Sequence, residues 1–322
     1  MYWFDSQKLK VESRQSGVRV LKLDSQESFI SILTSTESAK GWVFRGQSDS
    51  EWELKPSIFR GLSTENPAGL AERHLDKFKI YSRGRIANPD SWGDQRFWAL
   101  GRHYGLKTPL LDWSASPFIA AFFALHEECG GQERSLYALN ASLMNRELCR
   151  RIGIILLEDS ELKRVFEDRF DLQDFGEEDR CVMLGKTILD RYGGDLKPLN
   201  EEVERFQGFI EDAHEGYVRL ISPKMGDNPR LLSQRGVFTY QSSSNALEKL
   251  LEENHGDDEP ILIKLKFPSD WRNESLQLLN GMNINYLSVF PDLEGAALYC
   301  NDRLEHEAAE NVTNLNLNRI WV

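Results

Sequence analysis

Two periodicities alternate along the 322-residue chain. Short runs rich in β-branched and aromatic residues, VRVLK at 18–22 and WVFR at 42–45, read as strands. Between them SQESFISILTS reads as a short helix capped by Ser25. Leu70, His74, Leu75 and Phe78 recur at helical spacing and predict a helix over 68–86, followed by a second over 94–104. After the turn-rich stretch from Gly105 to Ser114, a helix is expected from Pro117 to about Cys129, with Ser116 as its cap and Gly130-Gly131 as its stop. SLYALNA at 135–141 reads as a strand. Residues 142–215 are charged and helical in pattern, and Gly193-Gly194 and Pro198 divide them into several helices. Strand patterns return at 217–222, 236–241 and 261–267, with helices near 245–254 and 273–281 and a turn-to-helix at 290–295. Strands early and late with helices between them predict one α+β domain over 1–322 that carries a helical insertion at 142–215.

Composition narrows the class. Hydrophobic residues make up 40% of the chain, which is a folding composition. The formal net charge of −12 argues against sequence-independent binding of a nucleic-acid backbone, but it leaves room for a small basic cleft. Cys129, Cys149, Cys181 and Cys300 form no C-x-x-C pair and have no His at zinc-ligand spacing, so reduced thiols and no metal are expected. The first residues lack a secretory pattern, and the longest apolar run, around Phe118 to Leu125, is far too short to span a bilayer. The expected location is the cytoplasm, with no membrane partner.

Three segments carry candidate chemistry. Arg45 ends a strand and is followed by Gly46, which permits a sharp turn or a close approach to a ligand. Its guanidinium suits a phosphate or carboxylate, or equally a structural ion pair. His103-Tyr104-Gly105 closes a helix, where the imidazole can serve as an acid, a base, a ligand contact or a cap. Asp112-Trp113-Ser114-Ala115-Ser116-Pro117 gathers a carboxylate, an indole, two hydroxyls and a helix start within six residues; capping and anion binding both fit that set. Later, Gln234 precedes a strand, and Asp292 and Glu294 sit near a helix start. No dinucleotide-binding glycine motif, phosphate-binding P-loop or zinc-protease motif occurs.

The segments Phe44-Arg45-Gly46-Gln47, Leu54 to Arg60, and His103 to Ser114 together resemble the FRG-domain family, named for its Phe-Arg-Gly triplet. Gln234 to Thr239 and Phe290 to Gly295 look like later segments of the same family, so the resemblance spans roughly 20–300. Pro109-Leu110 stands where the family more usually has Thr-Arg-Leu. The order of pieces is also similar to an ADP-ribosyltransferase core, which implies a split mixed sheet with flanking helices and NAD as substrate. On that resemblance Arg45 would contact the NAD phosphates and Trp113 would stack on nicotinamide. Phe44, Gly46, Gln47, Tyr104, Ser114 and Ser116 would complete the cofactor site, and His103 or Asp112 would serve the ribose or the acceptor. The usual late Glu-x-Glu is missing at 236–241; Gln234 is the nearest substitute and Glu294 lies beyond the last strand. The implied function is a toxin or antiphage effector that modifies nucleic acid or protein, with an antitoxin or regulatory protein as partner. A non-catalytic nucleotide- or partner-binding module with the same cleft is the alternative.

Overall fold

A computed structural model describes residues 10–15, 17–36, 40–89, 92–158, 176–192, 218–221, 229–254 and 260–304. The first part of the chain forms β1 (Lys10–Gln15), β2 (Val18–Lys22), α1 (Gln26–Thr36) and β3 (Trp42–Gln47). It continues through α2 (Pro67–Ser82), α3 (Asp94–His103), β4 (Leu110–Ser114), α4 (Pro117–Leu125) and β5 (Glu133–Asn140). Next come α5 (Ala141–Glu158), α6 (Glu177–Tyr192), β6 (Val218–Ile221), α7 (Pro229–Ser233) and β7 (Gly236–Gln241). The last elements are α8 (Leu247–Asn254), β8 (Leu262–Pro268), α9 (Arg272–Gly281), α10 (Tyr286–Val289) and a helix α11 over 293–304.

The eight strands of the described residues join one mixed sheet in the order β1-β2-β8-β5-β3-β4-β7-β6. The β2–β8 pair is parallel and every other pair is antiparallel. This is an α+β architecture, as expected. Two strands went unread in the sequence. β1 is an edge strand that owes its place to pairing with β2, and β4 lies in the stretch read as turn-rich. No helix among the described residues is long and apolar enough to cross a membrane.

The centre of the sheet is uneven. β3 pairs with β5 over six residues, from Trp42↔Asn140 to Gln47↔Ser135. It meets β4 at a single position, Phe44↔Ser114. The sheet is therefore nearly divided between β3 and β4, and the chain past Phe44 leaves backbone groups and side chains facing a seam.

The two-residue alternation of a strand sends neighbours to opposite faces. Phe44, Leu136 and Ala138 pack with Phe29, Phe122 and Ile263 in one core cluster, which the buried face of α4 helps to build. Val43, Tyr137 and Leu139 pack on the other face with Leu247 and Leu250 of α8. A third cluster joins Phe97 and Trp98 of α3 to Leu110 and Phe238. Gly46 lies in β3, which runs on through Gln47, so the chain does not turn after Arg45 as expected. A Cβ at Gly46 would sit 2.0 Å from the Ala120 carbonyl oxygen and 2.4 Å from the Ala124 amide nitrogen, so this glycine lets α4 lie against the strand.

The described part of the expected helical insertion is α5 and α6; residues 159–175 and 193–215 lie outside the described residues. The two helices approach through paired glycines. A Cβ at Gly153 would meet the Cys181 carbonyl oxygen at 2.0 Å, and one at Gly185 would meet that of Cys149 at 1.8 Å. Cys149 and Cys181 are buried there and are not joined in a disulfide, while Cys300 is exposed.

Candidate functional site

A cavity of about 1280 Å³ opens where β3 and β4 separate. Such a volume exceeds the roughly 300–1,000 Å³ common for small-molecule sites, so it can hold a ligand as long as a dinucleotide.

One wall is cationic. The Arg45 side chain, 15% exposed, donates from Nη1 to the Asp112 carbonyl oxygen across the seam at 2.6 Å. The same nitrogen lies 3.5 Å from Asp112 Oδ2. Arg102 grips the carboxylate from the far side, donating from Nε to Oδ1 at 3.1 Å and from Nη2 to Oδ2 at 2.5 Å. Arg60 borders the same cavity and is held by its Nε bond to the Lys55 carbonyl at 2.9 Å. Arg45 and Arg102 thus pair with one carboxylate whose charge Arg60 also feels, and the Nε of Arg45 is buried with no hydrogen-bond partner. The excess of cationic donors suits an anion.

Local structure explains the placing. Gly105, at φ +81°, ends α3, and Leu106 N donates back to the Gly101 carbonyl at 2.8 Å. This closure brings Arg102, in the last turn of α3, next to Asp112 on β4. Arg102 Nη1 also donates to Ser57 Oγ at 3.2 Å, and that hydroxyl accepts Thr108 N at 3.0 Å. The segment Leu54 to Arg60 is tied in this way to the start of β4.

The charges respond to this crowding. Burial pushes the Asp112 carboxyl upward, but Arg102, by charge and hydrogen bond, together with Arg45 outweighs it and holds the group below the usual carboxylate range. Its side chain keeps 40% of its surface open because it faces the cavity. Burial lowers the Arg45 pKa against the pull of Asp112, and the charges of Arg102 and Arg60 lower it further. Arginine starts high enough to stay charged.

Another part of the lining is aromatic. Phe123 and His126 at the end of α4 meet Tyr286 and Phe290, with Phe123 and Phe290 edge-to-face at 5.9 Å. The terminal carbonyls of α4 are taken up by buried Arg134 and by the half-buried Arg272 and Tyr286. Arg134 donates to Ala124 O at 2.6 Å and to Glu127 O at 2.9 Å. Arg272 Nε reaches Leu125 O at 2.9 Å, and Tyr286 Oη donates to His126 O at 2.9 Å. Cations at a helix C-terminus satisfy both the unpaired carbonyls and the dipole. Burial lowers the His126 pKa against the opposing pull of Glu127, so the imidazole is neutral at pH 7. It can act there as a ring surface.

Residues 40–149 match the family model of the FRG domain. Over that stretch, less than half of its length, the chain is similar to the FRG domain. No curated protein and no solved structure matches the chain. The FRG-domain match is shorter than the 20–300 span of the sequence resemblance. It contains β3, β4, β5 and the whole arginine–aspartate cluster, whereas Arg230, Tyr286 and Phe290 enter the cavity from outside it.

Within the matched stretch the structure brings together Phe44, Arg45, Gly46, Gln47, His103, Asp112, Trp113 and Ser114 around the cavity, and Gln234 and Glu294 join from beyond it. Their roles differ from expectation in several cases. Phe44 is a core residue at 2% exposure. Trp113, at 3% exposure, packs in the core and donates its indole N–H to Thr239 Oγ1 at 2.9 Å, so it offers no ring face for stacking. Ser114 donates to the Gln234 carbonyl at 2.7 Å and accepts Ser116 N at 3.0 Å, which makes it a fastener between β4 and the chain before β7. Ser116 occupies the N-cap position of α4 but makes no side-chain cap bond, and it does not border the cavity. Tyr104 is 74% exposed, away from the cavity, and packs edge-on against His103. His103 itself is exposed at the rim.

Gln234 uses its amide to donate to the Val289 carbonyl at 3.3 Å. Glu294 and Asp292 both bind Arg230, each at 2.5 Å, so the carboxylate expected to be catalytic is in an ion pair. Gln47 is 5% exposed, and its Oε1 is buried without a partner beside the cavity. Sequence reasoning missed Arg60, Arg102, Trp52 and His126. Arg102 immediately precedes the noticed His103, and Arg60 closes the noticed Leu54–Arg60 segment. Adjacency to those segments was the one available signal.

Proposed function

We propose that the chain is an NAD-dependent ADP-ribosyltransferase that seats the dinucleotide in the seam between β3 and β4. The observation that carries this reading is one cavity lined both by a guanidinium cluster, Arg45, Arg60 and Arg102, and by an aromatic group, Phe123, His126, Tyr286 and Phe290. A dinucleotide needs both, a cationic seat for its pyrophosphate and ring surfaces for its bases. The sparse β3–β4 pairing at Phe44↔Ser114 is compatible with the split sheet that the transferase resemblance implies.

In the transfer, the bond from the anomeric ribose carbon to the nicotinamide nitrogen breaks, and its electron pair leaves with neutral nicotinamide. An acceptor nucleophile bonds to that carbon and gives up its proton. The cation cluster would hold the pyrophosphate while positive charge develops on the ribose, so fixed orientation supplies much of the rate.

A second reading is favoured by one specific observation. Asp112 and Glu294, the two carboxylates expected near the chemistry, are both held by arginines. A binder that holds the dinucleotide without turnover fits this equally well.

Calorimetry with NAD, together with nicotinamide release in the presence of cell extract, separates the two readings. Binding plus release, both lost in Arg45→Ala, supports transfer. Binding without release with any extract selects the binder. A wild-type protein that binds neither NAD nor ADP-ribose refutes both.

A further inference from the structure

The loop that follows β3 carries a feature that the arginine cluster does not explain. Trp52 is 50% exposed at the cavity mouth, whereas Trp98 and Trp113 are buried at 4% and 3%. Its indole is held on a backbone fastened from beneath. Lys264 Nζ donates to Ser50 O at 2.5 Å, and Tyr137 Oη donates to Trp52 O at 3.4 Å. Leu54 N donates to both Glu248 oxygens at 3.2 and 3.1 Å, and Leu247 N donates to Leu54 O at 2.9 Å. Three polar side chains from β5, β8 and α8 thus fix a short loop whose most apolar side chain faces out. With the backbone anchored, only the side-chain torsions of the ring remain to be fixed when a ligand stacks on it.

Its neighbours define the ligand's charge. Glu51 and Glu53 flank Trp52 and border the same cavity. Lys55 also borders it, and Lys266 lies 3.7 Å from Glu51, so Glu53 carries the larger share of any selectivity. An exposed indole between carboxylates suits a planar cation, through the ring quadrupole and through charge.

We infer that Glu51, Trp52 and Glu53 form the subsite for a positively charged pyridinium ring, the nicotinamide of the oxidised dinucleotide. The inference rests on the dinucleotide reading above and deepens it. Oxidised NAD is anionic at its pyrophosphate and cationic at its nicotinamide, and the cavity repeats that polarity from the Arg45–Arg60–Arg102 cluster to the Trp52 loop. Trp52 takes the stacking role that the sequence assigned to Trp113.

The test is calorimetric titration of the full chain with NAD+, NADH and ADP-ribose, in wild type, Trp52→Ala, Trp52→Leu and Glu53→Gln. Wild type is expected to prefer NAD+ to NADH by about threefold or more, since only the oxidised ring carries the charge. Trp52→Ala should weaken NAD+ by about tenfold and leave ADP-ribose, which has no nicotinamide, nearly unchanged. Glu53→Gln should narrow the preference for NAD+ over NADH. If thermal melting shows that Trp52→Ala is unfolded, Trp52→Leu, which keeps an apolar cover and removes the ring, takes its place in the titrations. Unchanged NAD+ affinity in the Trp52 variants, or an equal loss for NAD+ and ADP-ribose, overturns the subsite while leaving the dinucleotide reading in place. No binding of any of the three by wild type overturns that reading and the subsite with it.

Discussion

Asp112→Asn separates the structural work of the carboxylate from the anion-binding work of the arginines around it. Asparagine keeps the shape and can accept one bond, but it removes the charge that Arg102 grips at 3.1 and 2.5 Å and that Arg45 approaches at 3.5 Å. Removing one partner of a fully buried pair costs about 3–5 kcal/mol. The Asp112 side chain is 40% exposed to the cavity, and solvent screening there reduces the expected loss to about 2 kcal/mol. Thermal melting should show a fall of about 3 °C. The sign with pH follows from the depressed carboxyl. Its contribution is present above the unfolded value and is lost as pH falls through the folded one. The gap between wild type and variant should therefore persist from about pH 5 to 8 and close only in stronger acid. Loss of the carboxylate also leaves three guanidiniums facing the cavity with no counter-charge. Inorganic pyrophosphate should then raise the melting temperature of Asp112→Asn by more than it raises that of wild type. A variant as stable as wild type at pH 7, or one that pyrophosphate stabilises less, would refute this account of the cluster.

Two further substitutions test the frame that holds the site. Gly46→Ala puts a methyl group 2.0 Å from the Ala120 carbonyl, so α4 must move off β3; urea unfolding should show a loss of about 1–3 kcal/mol or more, and a loss below about 0.5 kcal/mol would mean that the helix is not seated on the strand. Burial raises the Glu248 carboxyl above its ordinary value of 4.5, against the backbone bonds, Lys264 and Tyr137 that favour its charge. A raised carboxyl contributes stability that is complete below the unfolded value and disappears as pH rises through the folded one. Wild type should consequently lose stability relative to Glu248→Gln as pH rises from about 4 to 7, and a difference that is flat over this range would show that Glu248 is not buried against the loop.

The alternation and helical spacing of apolar residues determined most of the elements. β2, β7, α3, α8 and α9 fall within a residue or two of where the pattern puts them, because each must turn an apolar face to a common core whatever the topology. Ser25 does cap α1, its hydroxyl accepting Ser28 N at 3.2 Å, because a cap depends only on residues three positions apart. The Phe-Arg-Gly and Asp-Trp-Ser segments, noticed in the sequence, both border the cavity at the seam.

Only the tertiary structure decided which side chains face that seam. Trp113 and Trp52 look alike in a sequence, but strand alternation and Thr239 draw one into the core, while buried Tyr137 and half-buried Glu248 and Lys264 hold the loop that leaves the other exposed. Arg102 became a site residue because Gly105 folds α3 back onto β4, and Glu294 ceased to be a free carboxylate because Arg230, 64 positions away, reaches it. Local patterns report what a segment must do for itself. Ion pairs and exposed faces depend on which distant segments arrive beside it, and strand order across the sheet sets that arrival.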